Sequence, residues 1–273
     1  MSGAFLYDSQ QQRHPVIDAW VELGRFRDLL RMLVGLSLTV RYKRSLLGIA
    51  WTLLNPLLHM LVLSVAFSTL FGDRLPRYPV YVLAGLMVFE FFSQTTTFAV
   101  NQLTWGSALL GRVYVPAAVF PLSAVGTSLV QFGITCIPLL LIMLFLKNPF
   151  SWALLFLPLP VTLLAVLSLG FGLALAALAL SFNDLVNMWG VLLRVWYFLT
   201  PVMYPESIIP PSARWILVAN PLHHLLICIR DPIYLGRLPD PHHFVVSAVW
   251  SLVVGLVGWW YFSYRRFEFA LQV

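Results

Sequence analysis

The sequence predicts an all-α membrane protein with six transmembrane helices, a basic amphipathic helix before the first of them, and short outer helices between the fifth and the sixth. Of the 273 residues, 60% are hydrophobic and only 10% are charged, and the mean hydropathy is +0.84. So little polar surface cannot cover a water-soluble globule of this size. The chain also contains six apolar segments, each close to or above the roughly 20 residues that cross a bilayer as a helix.

The stretch before the first apolar segment is basic and amphipathic. Over residues 22–40, apolar side chains recur at helical spacing while charged side chains fall on another side, which predicts a helix lying in the membrane plane. This helix either anchors the chain at anionic headgroups or also faces a soluble partner, and the residues that suit both roles are Arg25, Arg31, Arg41, Lys43 and Arg44. Because basic residues lie beside apolar spans, the net charge of +6 indicates membrane lipids as partners and not nucleic acid.

The apolar segments predict six crossings with both termini in the cytoplasm. Seven of the 17 basic residues precede the first crossing, and cytoplasmic segments of membrane proteins are rich in Lys and Arg. We therefore expect a cytoplasmic segment at residues 1–47, a six-span domain at residues 48–266 and a cytoplasmic tail at residues 267–273. The predicted spans are Gly48–Phe71, Val80–Asn101, Val119–Leu146, Trp152–Leu180, Leu185–Met203 and Phe244–Tyr264.

Two connecting segments are more apolar than ordinary loops. Between the fifth and sixth spans, residues 205–238 contain two short apolar runs, Trp215–Ala219 and Leu222–Ile229, separated by Pro221. Neither run can cross a bilayer, so we expect half-helices at the outer face, with an ordinary extracellular loop as the alternative. Residues 103–118 return to the cytoplasm after the second span, and they form either a plain turn or a short helix that seats in a partner's groove.

Two ionisable residues lie near the middle of predicted spans. Glu90 falls in the second span and Arg194 in the fifth. A charge at the bilayer centre costs about 2.5–3.5 kcal/mol on insertion scales, so both side chains should face protein or water. Either the two residues pair across the bundle, or one or both of them line an aqueous conduit and touch a polar cargo.

Aromatic residues make up 15% of the chain, and Trp196, Tyr197 and Tyr204 cluster in and just after the fifth span. Most aromatic residues of membrane proteins belong to interfacial belts or to packing. Trp196 and Tyr197 lie too deep for a belt, and amphipathic aromatic rings suit stacking on the C–H faces of sugars. We therefore expect these three residues to line a conduit for a sugar-containing cargo.

No catalytic or metal-binding motif is legible in the sequence. A phosphate-binding loop needs a Lys directly after a Gly, and neither of the two lysines follows a glycine. The histidine pairs His223-His224 and His242-His243 consist of neighbours that point apart on a helix, so no metal site is predicted. The eleven acidic residues are scattered and form no pair suited to acid–base chemistry. We expect a chain that is not an enzyme and holds no cofactor of its own.

Three motifs occur in a recognisable order. Arg27–Leu58 contains R-Y-x-x-S-x-L-G-x-x-W-x-x-x-x-P, LGRVYVPAAVFP follows the second span as Leu110–Pro121, and FLTPVMYP closes the fifth span as Phe198–Pro205. In these motifs the chain resembles the membrane subunit of ABC-2 type exporters of polysaccharides, the group that moves lipid-linked O-antigen, capsular polysaccharide or teichoic acid. The resemblance extends from about Arg27 to Arg266.

The resemblance implies a homodimer in a bacterial inner membrane, joined to two separate ATPase subunits that bind ATP and Mg²⁺, with a polysaccharide conduit at the dimer interface. It makes the amphipathic helix an interface helix and residues 205–238 the outer gate helices. The coupling segment on the ATPase would contain Leu109, Leu110, Gly111, Arg112, Val113 and Tyr114.

The function that the resemblance implies is export of a lipid-linked polysaccharide, with O-antigen as the leading candidate. Two alternatives remain at this point. One is a drug or small-lipid exporter of the same group, and the other is an ion-coupled secondary transporter in which Glu90 carries protons.

Overall fold

The computed structural model describes residues 26–43, 45, 47–48, 50–71, 75–110, 116–179, 181–182 and 184–269, with the backbone alone for residues 41–42, 102–110 and 266–269. All regular structure in these residues is helical. The α-helices are α1 (Arg27–Tyr42), α2 (Ala50–Phe71), α3 (Tyr78–Leu110), α4 (Val119–Phe145), α5 (Pro158–Ala179), α6 (Leu185–Leu199), α7 (Trp215–Ala219), α8 (Pro221–Arg230) and α9 (Pro241–Phe269). A 3₁₀ turn, Trp152–Phe156, precedes α5, and a π-helical turn, Asp231–Leu235, follows α8.

Five of these helices are long and apolar enough to cross a membrane. They are Ala50–Phe71, Tyr78–Asn101, Val119–Phe145, Trp152–Ala179 and Pro241–Arg265. They match the predicted first, second, third, fourth and sixth spans to within a few residues. The predicted fifth span, Leu185–Met203, differs because its helix α6 has 15 residues, fewer than the roughly 20 that a bilayer core requires.

A proline explains the early end of α6. Pro201 lacks a backbone N–H and sterically drives the residue before it out of the helical region. Thr200 accordingly has the extended dihedral angles φ −102° and ψ 129°, and the chain from there to Tyr204 is non-helical. The consequence is a short stretch of irregular backbone directly after an apolar helix.

Helix α3 is at the centre of the bundle. In its membrane-spanning window 72% of the residues are buried, compared with 17% for α2 and 22% for α9. It packs against α4 and α5, and its outer half also contacts α8. Nearly every residue of α3 from Val80 to Phe92 is buried, which agrees with a continuous apolar sequence surrounded by other helices.

Helices α5 and α9 make the closest helix crossing. A Cβ atom added at Gly258 would overlap the backbone of Gly170, and one added at Gly170 would overlap the backbone at Val254 and Gly255. Small residues allow membrane helices to approach until their backbones touch, which gives dispersion contacts where lipid offers no hydrophobic driving force. This crossing joins the fourth and sixth predicted spans.

Helix α1 carries the predicted amphipathic pattern. Its apolar residues Phe26, Leu29, Leu30 and Leu33 pack against a small core cluster formed by the start of α4 and the ends of α5 and α9. The opposite side is exposed and includes Arg31 and Lys43 of the predicted interface residues. The other three, Arg25, Arg44 and the side chain of Arg41, lie outside the described residues.

Candidate functional site

A polar cavity lies among the apolar helices α2, α3 and α4. Its volume is about 380 Å³, and its polar lining includes Asn55 on α2, Glu90 and Gln94 on α3, and Ser128, Gln131 and Thr135 on α4. Glu90 and Gln94 are one turn apart, and the three residues of α4 follow the i, i+3, i+7 spacing of one helix face. Each of the three helices thus directs polar side chains into the same cavity.

The two intramembrane charges are separated by the fold. Glu90 is partly buried in the wall of this cavity, whereas Arg194 is exposed on α6. No ion pair joins the two side chains in the described part of the chain. The alternative in which the two residues pair across the bundle is therefore not seen within the described part of one chain.

Trp196 and Tyr197 have different surroundings. Trp196 belongs to a ring cluster with Phe92 and Phe171, at centroid distances of 5.2 and 5.5 Å, and its Nε1 donates to Asn220 Oδ1 at 2.9 Å. These contacts occupy the indole in packing, which differs from the predicted conduit role. Tyr197 packs edge-on against Phe89 at 5.1 Å, and its buried hydroxyl has no hydrogen-bond partner among the described residues.

The irregular segment after α6, residues 200–204, is held by side chains from α3 and α8. Arg230 donates from Nη1 to the Pro201 carbonyl and from Nη2 to the Val202 carbonyl, both at 2.9 Å. Tyr78 donates its hydroxyl to the Met203 carbonyl at 2.5 Å, and Tyr81 to the Tyr204 carbonyl at 3.0 Å. Four consecutive carbonyls that no helix satisfies therefore each have a donor, as backbone at membrane depth requires. We call this arrangement the carbonyl clamp.

Arg230 is the centre of the carbonyl clamp. It is only 5% exposed, and its guanidinium lies over the Tyr81 ring at 3.8 Å, a cation–π contact. A Cβ atom added at Gly85 of α3 would collide with Nη2 of Arg230, so glycine at this position makes room for the guanidinium. The sequence patterns described above do not single out Arg230. The sequence feature that could have indicated its structural role is its position at the end of an apolar run.

Tyr204 and Asn220 complete the connection between α6 and the outer helices. The Tyr204 hydroxyl donates to the Phe198 carbonyl at 2.7 Å, so the predicted conduit residue folds back on its own segment. Asn220 caps α8 by accepting from the Leu222 N–H at 3.1 Å and donates to Thr200 Oγ1 at 2.9 Å. The Asn-Pro step that separates the two apolar runs thus also ties α8 to the end of α6.

The four outer histidines meet across two helices, contrary to the expectation that adjacent histidines would point apart. Nδ1 of His224 on α8 lies 2.9 Å from Nδ1 of His243 on α9, and the His223 and His242 rings flank this pair. Burial lowers the pKa of His223 to about 3 and also lowers that of His224, with repulsion from neighbouring histidines adding to both. No group of three or more His, Cys, Asp or Glu side chains in the described residues is arranged to hold a metal ion.

The predicted coupling segment is only partly described. Leu109 and Leu110 end α3, so their backbone is helical, and their side chains lie outside the described residues. Gly111, Arg112, Val113 and Tyr114 lie outside them entirely.

Comparison with known proteins agrees with this architecture. The sequence pattern of the family described as ABC-2 type transporter matches residues 29–234, three quarters of the chain. This chain belongs to the ABC-2 type transporter family. The match includes α2 to α8 and therefore both the polar cavity and the carbonyl clamp.

Relatives of this ABC-2 transporter align over nearly their whole length. The O-antigen export system permease protein RfbA of Myxococcus xanthus is 34% identical over 256 residues, covering 92% of this chain and 98% of the relative. A protein of the same name from Klebsiella pneumoniae is 27% identical, covering 91% and 96%. The polysialic acid transport protein KpsM of Escherichia coli is 26% identical, covering 81% and 87%.

Replacing Arg230 by methionine should strongly destabilise the protein. Arg230→Met leaves the Pro201 and Val202 carbonyls buried without donors, and each orphaned group costs about 1–3 kcal/mol. We expect a clear drop in the thermal unfolding midpoint of the purified protein. Arg237→Met is the matched control, because Arg237 forms an exposed 3.3 Å ion pair with Asp231, a kind of pair worth about 0–1 kcal/mol. Equal midpoints for the two variants would contradict the role given to Arg230.

Acidification should weaken the outer histidine cluster. Because the pKa of folded His223 is about 3, below its usual 6.5, the unfolded chain takes up a proton first as the pH falls. The free energy of unfolding should therefore decrease below pH 6.5, by about 2 kcal/mol at pH 5 for this residue. Thermal unfolding midpoints between pH 7.5 and 5 should fall less in His223→Gln than in the native chain. Parallel curves would show that His223 is not the group that causes the pH dependence. The remaining titratable groups around it are Glu206, His224, His242 and His243.

Proposed function

We propose that this chain is the membrane permease subunit of an ATP-driven exporter that moves a lipid-linked polysaccharide, with O-antigen as the leading candidate, across a bacterial inner membrane. The observation that carries the proposal is the 34% identity to an O-antigen export permease over 98% of that relative's length. A relative named as a polysialic acid transport protein also supports a glycan as the cargo.

The proposed assembly contains two copies of this chain and two separate ATPase subunits. No phosphate-binding loop occurs in the sequence, so ATP and Mg²⁺ would bind to the ATPase subunits. Arg194 is exposed on the apolar helix α6, and because a charge at membrane depth should face protein or water, its exposure supports a second copy beside this one.

Six crossings with both termini in the cytoplasm remain our proposal for the topology. A 15-residue helix such as α6 is about 22 Å long, short of a hydrocarbon core of about 30 Å. Residues 200–204 would provide the remaining length, because the carbonyl clamp satisfies backbone groups that lipid cannot. Irregular backbone is tolerated at this depth where protein surrounds it.

The conduit would run along the exposed side of α6. Tyr197 and Arg194 would face the cargo there, and Tyr204 would lie near the outer end. Trp196 would support this wall from behind, because its indole is already packed against Phe92 and bonded to Asn220. Residues 205–238 would act as the outer gate.

Helix α3 would transmit the movement of the ATPase subunits. Its 33 residues extend about 50 Å, from the coupling segment at residues 103–118 to the carbonyl clamp. Tyr78, Tyr81 and Gly85 lie on its outer end, so displacement of the inner end would pull on the segment after α6. Residues 25–44 would contact the ATPase as the interface helix.

Deletion of the gene should abolish the surface glycan. We expect the strain to accumulate lipid-linked polymer on the cytoplasmic side and to regain surface polymer when the chain is supplied together with its ATPase partner. Chemical analysis of surface and intracellular glycan measures both outcomes. Unchanged surface glycan in the deletion strain, or transport by the purified chain driven by an ion gradient without any ATPase, would overturn the proposal.

Replacing Arg112 should uncouple hydrolysis from export. Arg112→Ala removes a charge from the proposed contact with the ATPase, and we expect export to fall about tenfold, equivalent to about 1.4 kcal/mol of lost interaction. Membrane insertion and basal ATP hydrolysis of the complex should persist. Arg214→Ala, in the outer segment, is the control and should leave export unchanged. Normal export by Arg112→Ala would remove this segment from the coupling path.

A further inference from the structure

Gln131 is a buried amide whose polar atoms are unpaired. It is 5% exposed, and neither Oε1 nor Nε2 has a hydrogen-bond partner among the described residues. The hydroxyl of Ser128, one turn earlier on α4 and 2% exposed, is unpaired in the same sense. Buried polar groups in proteins are almost always hydrogen-bonded, and each unpaired one costs about 1–3 kcal/mol. An apolar residue at position 131 would therefore fold at least as well, so stability does not account for the glutamine.

Both side chains line the polar cavity between α2, α3 and α4. Its volume of about 380 Å³ lies within the range of about 300–1,000 Å³ that is usual for small-molecule sites. The rim reaches the first turn of α2, where Trp51 is 41% exposed. In the topology proposed above this end of α2 lies at the cytoplasmic face, so a ligand could reach the unpaired amide without crossing lipid or the core around α3.

The chemistry of the lining selects the kind of ligand. Among the described residues that line the cavity there is no Lys or Arg, so none of them balances the charge of a phosphate or a carboxylate. The Asn55, Gln94 and Gln131 amides each donate and accept, and the Glu90 carboxyl adds acceptor oxygens. Sugar hydroxyls also donate and accept, so they can pair with every one of these groups. The Trp51 ring at the rim offers a face for the C–H side of a sugar.

We propose that this cavity is a sugar-binding site within each subunit, which takes a neutral, hydroxyl-rich unit of the exported glycan through Gln131, Ser128 and Glu90. The proposal rests on the function proposed above, since it assumes that the cargo is a glycan. It adds a site inside the bundle of one subunit, separate from the conduit along α6.

Protection of an introduced thiol tests whether the cavity binds sugar. Asn55→Cys, at an exposed position that lines the cavity, is made in a chain whose native thiols are removed by Cys136→Ser and Cys228→Ser. The complete exporter in lipid nanodiscs is then treated with a small thiol reagent. The neutral oligosaccharide released from the cell's own surface glycan should slow labelling, whereas inorganic phosphate and tetramethylammonium should not. Leu58→Cys, on the same helix and 46% exposed but outside the cavity, is the control and should show no protection. Protection by either ion instead, or by no probe, would overturn the sugar site.

Gln131→Leu separates a binding role from a structural one. We expect its thermal unfolding midpoint to be equal to or above that of the native chain, while the oligosaccharide concentration for half-protection in the Asn55→Cys background rises about tenfold. Leu129→Ala, on the same helix and 41% exposed but outside the cavity, should change neither quantity. A lowered midpoint, or unchanged protection, would overturn the role of Gln131.

The deletion strain distinguishes failure of the site from failure of the proposed function. If the native gene restores surface glycan and Gln131→Leu restores it at the native rate, the sugar site is wrong and the exporter stands. If the native gene restores no glycan, the exporter proposal itself fails. We expect restoration by the native gene and a rate about tenfold lower with Gln131→Leu.

Discussion

The architecture of the outer half depends on how four consecutive carbonyls are satisfied. Proline at position 201 ends α6 and leaves the carbonyls of residues 201–204 without helical donors, which lipid cannot replace. Arg230 and the hydroxyls of Tyr78 and Tyr81 supply those donors. Because two of the donors come from Arg230 at the end of α8 and two from the first turn of α3, satisfying all four carbonyls fixes the relative positions of α3, α6 and α8. Gly85 is part of the same constraint, since a side chain there would exclude the guanidinium.

The central position of α3 connects the features described here. The first turns of α3 contribute side chains to the carbonyl clamp, and its middle contributes Glu90 and Gln94 to the polar cavity. Its other end leads into residues 103–118. A helix that is buried on all sides transmits displacement because close-packed neighbours leave it little room to bend. This arrangement explains why a long, almost uncharged helix lies at the centre of the bundle while α2 and α9 remain at its edge.

The sequence correctly predicted the features that depend on a single helix. Span positions agree to within a few residues for five helices, because length and apolar content are local properties. The short run Trp215–Ala219 is a helix, as its length and the following Asn-Pro step indicated. The family was also recognised correctly, from motifs in a fixed order.

Features that depend on several helices were not predictable in the same way. Trp196 was expected to face a conduit, but its environment comes from α3, α5 and Asn220, which no pattern within α6 reveals. The histidines of each pair are neighbours on one helix, and only the packing of α8 against α9 brings Nδ1 of His224 to 2.9 Å from Nδ1 of His243. In the sequence Arg230 looked like a basic residue of a loop, because the carbonyls that it binds lie 28 and 29 residues earlier in the chain.

Arg230 and Gln131 are both polar and buried, but the fold treats them differently. Two nitrogens of Arg230 bind carbonyls that would otherwise be orphaned, so removing the side chain harms the protein itself. Gln131 satisfies no other group with its amide, and the main-chain carbonyl of the same residue already accepts from Thr135 at 3.0 Å. A polar side chain that serves the fold should be paired within it, whereas one that serves a ligand should be unpaired until the ligand arrives. The pairing of its buried polar atoms therefore distinguishes Arg230, which holds the fold together, from Gln131, which we propose meets the cargo.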